Sequence, residues 1–171
     1  MQRLLLMDEQ NYDEHLPEIC RTAVRGVIMV NGKLLFIEDK FGVLKLPGGG
    51  QENGEDDLQT LCREVREETG YTVIPGSVRP WGCIEEKRLS VHEEMIWHQF
   101  NHLYFCEVEK TQGECSYSDN EQRYSMHLRA STLEEALAIN QDQLSREGLH
   151  PWNQREYKTL LLLRQHMEEY K

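Results

Sequence analysis

Apolar and polar positions follow two rhythms along this chain, and the change of rhythm marks its elements. Residues 22–30, TAVRGVIMV, and 33–38, KLLFIE, are apolar, β-branched-rich runs separated by Asn31-Gly32. Both turn residues tolerate the positive φ of a type I′ turn, so the pattern predicts a β-hairpin. Residues 39–44 read as a polar loop and 45–46 as a short extended entry. Pro47-Gly48-Gly49-Gly50 reads as an irregular turn, because glycines are hard to order but let backbone approach a ligand or ion closely. Helical spacing then takes over. Asp56 is the expected N-cap with Gln59 closing a capping box, Leu58, Leu61, Cys62 and Val65 form a core-facing stripe, and Gly70 supplies the C-terminal stop. On that stripe Cys62 reads as a small core residue rather than a nucleophile.

The flanks are less regular. Residues 1–20 suggest a short strand or turn, with Pro17 breaking any helix. Strands are expected at 71–74 and 78–86 around Pro75-Gly76, a charged loop at 87–94, and one long strand at 95–108. A loop at 110–120 precedes a strand near 124–129. Ser131 and Glu134 form a capping box that opens a helix to about Asn140. After a polar span at 141–150, Pro151 begins a helix to about Tyr170, whose Trp152, Tyr157, Leu160, Leu161 and Leu163 can pack on the same domain or on a second subunit, so a homodimer stays open. No repeat or second domain is visible, and residues 1–171 are expected to form one domain with its core at about 20–142, an N-terminal arm at 1–19 and a C-terminal helix.

Charge narrows the function. The net charge of −11 argues against a duplex nucleic-acid partner, since such proteins gain affinity from clustered Lys and Arg. An acidic protein that handles a polyanion needs a metal between them. The five cysteines, Cys20, Cys62, Cys83, Cys106 and Cys115, have no C-x-x-C pairing and suggest neither disulfides nor zinc. His92, His98 and His102 lack a convincing metal-ligand spacing. The N-terminus fits no signal peptide, and the apolar run at 160–163 is far too short to span a bilayer, so a soluble cytoplasmic protein without a membrane partner is expected.

The helix after the glycines carries an anomaly. Glu64, Glu67 and Glu68 stand at i, i+3 and i+4, so their carboxylates project from one side. They crowd the helix C-terminus, where the macrodipole opposes negative charge by roughly 0.3–1 kcal/mol each. Three converging carboxylates suit a hard cation such as Mg²⁺; a merely solvated acidic face is the alternative.

From Gly49 to Tyr71 the order is Gly49, Glu55, Arg63-Glu64-Val65, Glu67-Glu68 and Gly70, with Tyr71 where an aliphatic residue is usual. The stretch resembles the Nudix box. The resemblance implies an α/β (α+β) fold, an α/β/α sandwich with a mixed sheet. It also implies Mg²⁺-dependent hydrolysis, with Mn²⁺ an option, of a diphosphate linkage in a nucleoside diphosphate joined to another moiety. The substrate would be a small nucleotide: a nucleotide sugar, ADP-ribose, a nucleoside triphosphate or a dinucleoside polyphosphate. By the same resemblance Glu64, Glu67 and Glu68 are metal ligands, with the carbonyl of Gly48 or Gly49 as a further one. Glu55 and Arg63 orient the glutamates, and Glu64 is the first choice of general base, with Glu121 the alternative from outside the box. Arg21, Arg25 and Phe41 are the leading substrate-binding candidates, and Trp81, Trp97 and Tyr104 lie on expected strands near the cleft. The competing reading is a nucleotide-metabolite sensor on the same fold without catalysis.

Overall fold

The computed structural model describes residues 1–146 and 151–169. Its largest sheet has five strands in the order β1-β8-β9-β2-β6: β1 (Arg3–Asp8), β8 (Arg79–Leu89), β9 (Ile96–Phe105), β2 (Glu18–Val27) and β6 (Gly48–Gly50). The sheet is mixed, with β1 parallel to β8, β2 parallel to β9, and the β8–β9 and β2–β6 pairs antiparallel. A second sheet runs β11 (His127–Ser131), β4 (Lys33–Glu38), β3 (Met29–Val30), with β5 (Leu44–Lys45) also on β4. A short ribbon joins β7 (Tyr71–Val73) to β10 (Val108–Gln112).

Helices cover the sheets in two layers. Below, α1 (Asp57–Thr69) buries Leu61 and Val65 against Val24, Ile28, Leu35 and Val73. Above, α3 (Leu133–Leu144) and α4 (Pro151–Glu169) bury Ala136, Leu137, Leu160 and Leu163 against Val27, Leu34, Phe36 and Ile84. Alternate residues of β4 therefore serve opposite cores, as strand periodicity requires. The helix at 151 onward thus packs on its own domain through Leu160 and Leu163.

Local chemistry behaves as the sequence leads one to expect at the hairpin and the helix caps. Asn31 and Gly32 have φ of 50° and 76°, and Val30 pairs with Lys33. Asp56 and Gln59 exchange reciprocal hydrogen bonds of 2.8 Å, and Gly70 closes α1 in the left-handed region.

Elsewhere long-range pairing overrides the local pattern. The apolar run at 22–30 divides at Ile28, whose carbonyl accepts from Leu35, so β3 joins the other sheet. The strand expected at 95–108 likewise splits into β9 and β10, which pair with different partners. Gly48–Gly50, expected as an irregular turn, is a short strand because β2 supplies ladder partners. Leu58 is 40% exposed, outside the core stripe expected of it, since the sheet does not cover the first turn of α1. Thr132, not Ser131, caps α3, and a short helix, α2 (Asp119–Arg123), sits where a loop was expected. Part of the polar span, residues 147–150, and Tyr170 lie outside the described residues. No described helix is long and apolar enough to cross a membrane.

Candidate active site

The glycine strand and α1 lock together so that glutamates are buried beneath backbone. At Gly48 φ is 134°, and an added Cβ would strike the Val24 carbonyl oxygen; at Gly49 it would strike the Glu64 carboxylate. Only residues without a side chain allow this approach. The Gly48 N–H donates to Glu68 Oε2 at 2.6 Å, and the Arg25 guanidinium donates to the Gly48 and Leu46 carbonyls.

Arg63 is the hub of the helix face. Its Nε and Nη2 donate to the two Glu55 oxygens at 2.6 and 2.8 Å, a bidentate pair, and Nη2 also reaches the Gly50 carbonyl at 3.0 Å. Nη1 donates to Glu64 at 2.7 Å and to Glu67 at 3.3 Å. Such planar forks fix carboxylates in direction as well as position. With Arg63 the leading cause, the Glu55 carboxyl is held down to about 2.

Glu64 and Glu68 are buried, 8% and 2% exposed, and burial pushes the acid dissociation of both up. Glu121 joins them from α2, and each of the three brings a carboxylate oxygen within 4.8 Å of the other two. The loop before α2 is clamped to the end of α1: Gly113 N donates to the Gly70 carbonyl, Ser116 N to Glu67 O at 2.7 Å and Tyr117 Oη to Glu68 O at 3.0 Å. Those donors satisfy carbonyls that a helix C-terminus leaves open. Ser118 then caps α2 and holds Glu121 Oε2 at 2.6 Å from its N–H.

An all-oxygen set of three carboxylates, two of them buried and held apart from bulk water, fits a hard divalent cation. Burial raises the acid dissociation of Glu64 and Glu68, and a bound cation would offset that cost of desolvation.

Beside this cluster opens a cavity of about 700 Å³ whose wall includes Arg21, Arg25, Lys45, Arg88, Trp97, Gln99, Trp152 and Arg155. It bounds the glycine strand at Gly49 and Gly50. The guanidiniums of Arg21 and Arg88 each lie 5.7 Å from the centroid of the Trp97 ring. Its indole Nε1 is buried and has no hydrogen-bond partner among the described residues.

Residues 21–165 match the NUDIX domain model. The chain belongs to the NUDIX family. Among its relatives, nucleoside triphosphatase NudI of Enterobacter sp. (strain 638) is 32% identical over 90 residues, 49% of this chain and 64% of that protein. A Bacillus subtilis (strain 168) protein, provisionally named ADP-ribose pyrophosphatase YjhB, is 26% identical over 98 residues, 57% of this chain and 46% of that protein. The chain thus spans between about half and just under two thirds of these relatives' lengths. A NUDIX hydrolase structure from Nitrosomonas europaea superposes with a TM-score of 0.55 at 19% identity, covering 82% of this chain and 90% of that one, a likeness of fold.

Within this NUDIX domain the structure brings together only part of the set read from the sequence. Glu64, Glu68 and Glu121 converge, with Glu55 and Arg63 alongside. Glu67 does not join the carboxylate cluster: its side chain is 43% exposed and, among the described residues, its polar partner is Arg63 Nη1 at 3.3 Å. The helix is rolled so that Glu64 and Glu68 go under the glycine strand, which turns Glu67 outward. Arg21 and Arg25 line the cavity, whereas Phe41 stands outside its lining, 41% exposed, with its ring edge against Tyr124. Trp81 packs in the core beside Phe105, and Tyr104 donates to Asp57 at 2.6 Å. Lys45, Arg88, Gln99 and Arg155 are cavity residues that the sequence reading missed. The signal for Lys45 was a lone lysine between two leucines, Leu44 and Leu46, in an extended stretch.

Proposed function

We propose that the chain is a divalent-cation-dependent hydrolase, with Mg²⁺ or Mn²⁺, that cleaves a diphosphate linkage in a nucleoside diphosphate joined to another moiety. The observation that carries this reading is the convergence of Glu64, Glu68 and Glu121 beside the glycine strand, whose Gly49 and Gly50 also border a cation-lined cavity. Membership of the NUDIX family and the names of the two relatives support it.

Glu64, Glu68 and Glu121 would hold the cation, with the carbonyl of Gly48 or Gly49 as a further ligand and Glu67 at the exposed edge. When bound, the cation neutralises the diphosphate charge and polarises the phosphoryl oxygens. The chain's own groups then divide the work. Arg21 and Arg25 orient phosphate oxygens, and Trp97 offers a face for a base. Arg63 holds Glu64 by one oxygen, leaving the other free to take the proton of a water as its oxygen attacks phosphorus and the P–O bond to the leaving phosphate breaks. Glu121 is the second candidate for that base.

The test is hydrolysis of nucleoside triphosphates, nucleotide sugars, ADP-ribose and dinucleoside polyphosphates with Mg²⁺ and with Mn²⁺, products being identified by mass spectrometry. Turnover that needs the metal and disappears in Glu68→Gln is expected. Tight binding with no turnover of any compound would replace the hydrolase by a sensor.

A further inference from the structure

Among the cations on the cavity wall, Lys45 is placed unlike the others. Arg88 and Arg155 are neutralised from behind, both by Glu86, at 3.0 and 2.5 Å, and Arg155 also by Glu156 at 2.8 Å. Arg25 gives its hydrogen bonds to the backbone carbonyls of the glycine strand, and Arg21 leans on the Trp97 ring. Lys45 is 8% exposed, and the hydrogen bond it makes is to a thioether, Met126 Sδ at 3.5 Å. No carboxylate of the described residues lies within ion-pair distance of it. A buried ammonium with so weak a partner lowers stability. Desolvation and the nearby Arg25 charge accordingly pull its acid dissociation below the usual lysine range.

Three cations without a carboxylate partner, Arg21, Arg25 and Lys45, therefore face one cavity, and its described lining contains no Asp or Glu. That wall asks for an anion of more charge than a diphosphate diester brings. Each phosphoryl group of a diphosphate diester carries one charge, while a terminal phosphoryl group with one bridging oxygen carries about 1.5 to 2 at pH 7 and offers three acceptor oxygens. Resting on the hydrolase reading of this site, we infer that Lys45 is a phosphate ligand that selects a substrate ending in an unsubstituted terminal phosphoryl group, of the nucleoside triphosphate class, over diphosphate diesters such as ADP-ribose and nucleotide sugars.

Lys45→Met, close in shape and without charge, and Lys45→Arg, which keeps the charge, test this. The wild type is expected to have a higher kcat/KM for at least one nucleoside triphosphate than for ADP-ribose or any nucleotide sugar. Lys45→Met should raise KM for that triphosphate about tenfold, the loss of one charge-assisted contact, and Lys45→Arg should restore most of it. Calorimetric titration with inorganic tripolyphosphate and pyrophosphate gives a readout independent of turnover. The wild type should prefer tripolyphosphate, and Lys45→Met should weaken it about tenfold. A higher Tm for Lys45→Met would accompany this, since a buried charge has been removed, and would exclude unfolding as the cause. A wild type that prefers diesters, or a tripolyphosphate affinity unchanged in Lys45→Met, overturns the role of Lys45 and leaves the hydrolase standing. Absence of turnover on every compound, with tripolyphosphate binding still dependent on Lys45, would overturn the hydrolase and leave the ligand role.

Discussion

Two carboxylate clusters, one along the five-stranded sheet and one on α1, have opposite electrostatics. In the first, Glu18 and Glu85 share His98, whose ring nitrogens lie 2.5 and 2.9 Å from them; Lys87 adds a contact to Glu18 at 2.9 Å and Arg3 one to Glu85 at 2.8 Å. Glu18 is held down to about 2, first by His98 and then by Lys87, and Glu85 is lowered first by Arg3. In the other, Glu64 and Glu68 are pushed up by burial, and Glu68 has no ion-pair partner among the described residues. Both clusters bring donor atoms together, since Glu18, Cys20 and His98 also lie within 4.8 Å of one another. Proximity therefore does not distinguish them. The first cluster already holds its positive charge in protein side chains, whereas the second is short of it, and that shortage is what a divalent cation or a protonation event must meet.

The largest break between the clusters should appear in catalysis. Glu64→Gln or Glu68→Gln is expected to lower kcat/KM by about 10³-fold, the range for loss of a general base or its equivalent. Glu18→Gln should leave kcat/KM within about twofold, because its contacts are with Lys87 and His98, outside the Glu64, Glu68 and Glu121 group. Steady-state kinetics on whichever compound the substrate panel identifies will decide. Equal losses in Glu18→Gln and Glu64→Gln would erase the distinction.

A smaller effect should separate the clusters in stability. In EDTA, Glu68→Gln is expected to melt above the wild type, since an under-compensated buried charge is removed. Magnesium at about ten times its dissociation constant stabilises by about 1.4 kcal/mol, or about 4 °C in a domain of this size, and that rise should vanish in Glu68→Gln. Differential scanning calorimetry with and without Mg²⁺ measures both shifts. A wild type whose Tm ignores the ion would return the glutamates to an acidic helix face.

What could be read beforehand divides by the range of the physics. The Asn31-Gly32 turn, the Asp56–Gln59 capping box and the Gly70 stop are set by residues within a few positions of one another. Glu67 stands at the exposed edge of the cluster, a position its spacing from Glu64 does not reveal, since spacing fixes only its angle around α1. The roll of the helix beneath β6 decides which glutamates go under, and that depends on Leu61 and Val65 meeting residues of three other strands. Glu121 was already a candidate from outside the box, but its arrival depends on a loop hydrogen-bonded to the last carbonyls of α1, which no local pattern announces. Arg88 and Arg155 meet across Glu86 from β8 and α4, residues 69 apart on the Arg155 side. Phe41 looked suited to stacking by its neighbourhood to the glycines, yet β5 and β6 carry the chain past the cavity while Phe41 stays on Tyr124.

The smallest expected effect is an opposite response to acid. Glu18 has a folded-state acid dissociation below its unfolded value, so its contribution is present above about pH 4.5 and is lost as pH falls toward 2. Glu68 has the reverse sign: with burial raising it, apo stability from this group is present at low pH and is lost as pH rises through its elevated range. Urea midpoints of the metal-free protein between pH 3 and pH 8 should therefore shift differently in the two variants. Glu18→Gln should flatten the acid limb by only ~0.5 kcal/mol, the scale of a screened pair near the surface. Glu68→Gln should instead remove a decline on the neutral side, so the two difference curves against wild type should slope in opposite directions. Parallel curves would mean that Glu68 finds its counter-charge within the chain, from Lys45 and Arg25, without needing an added ion.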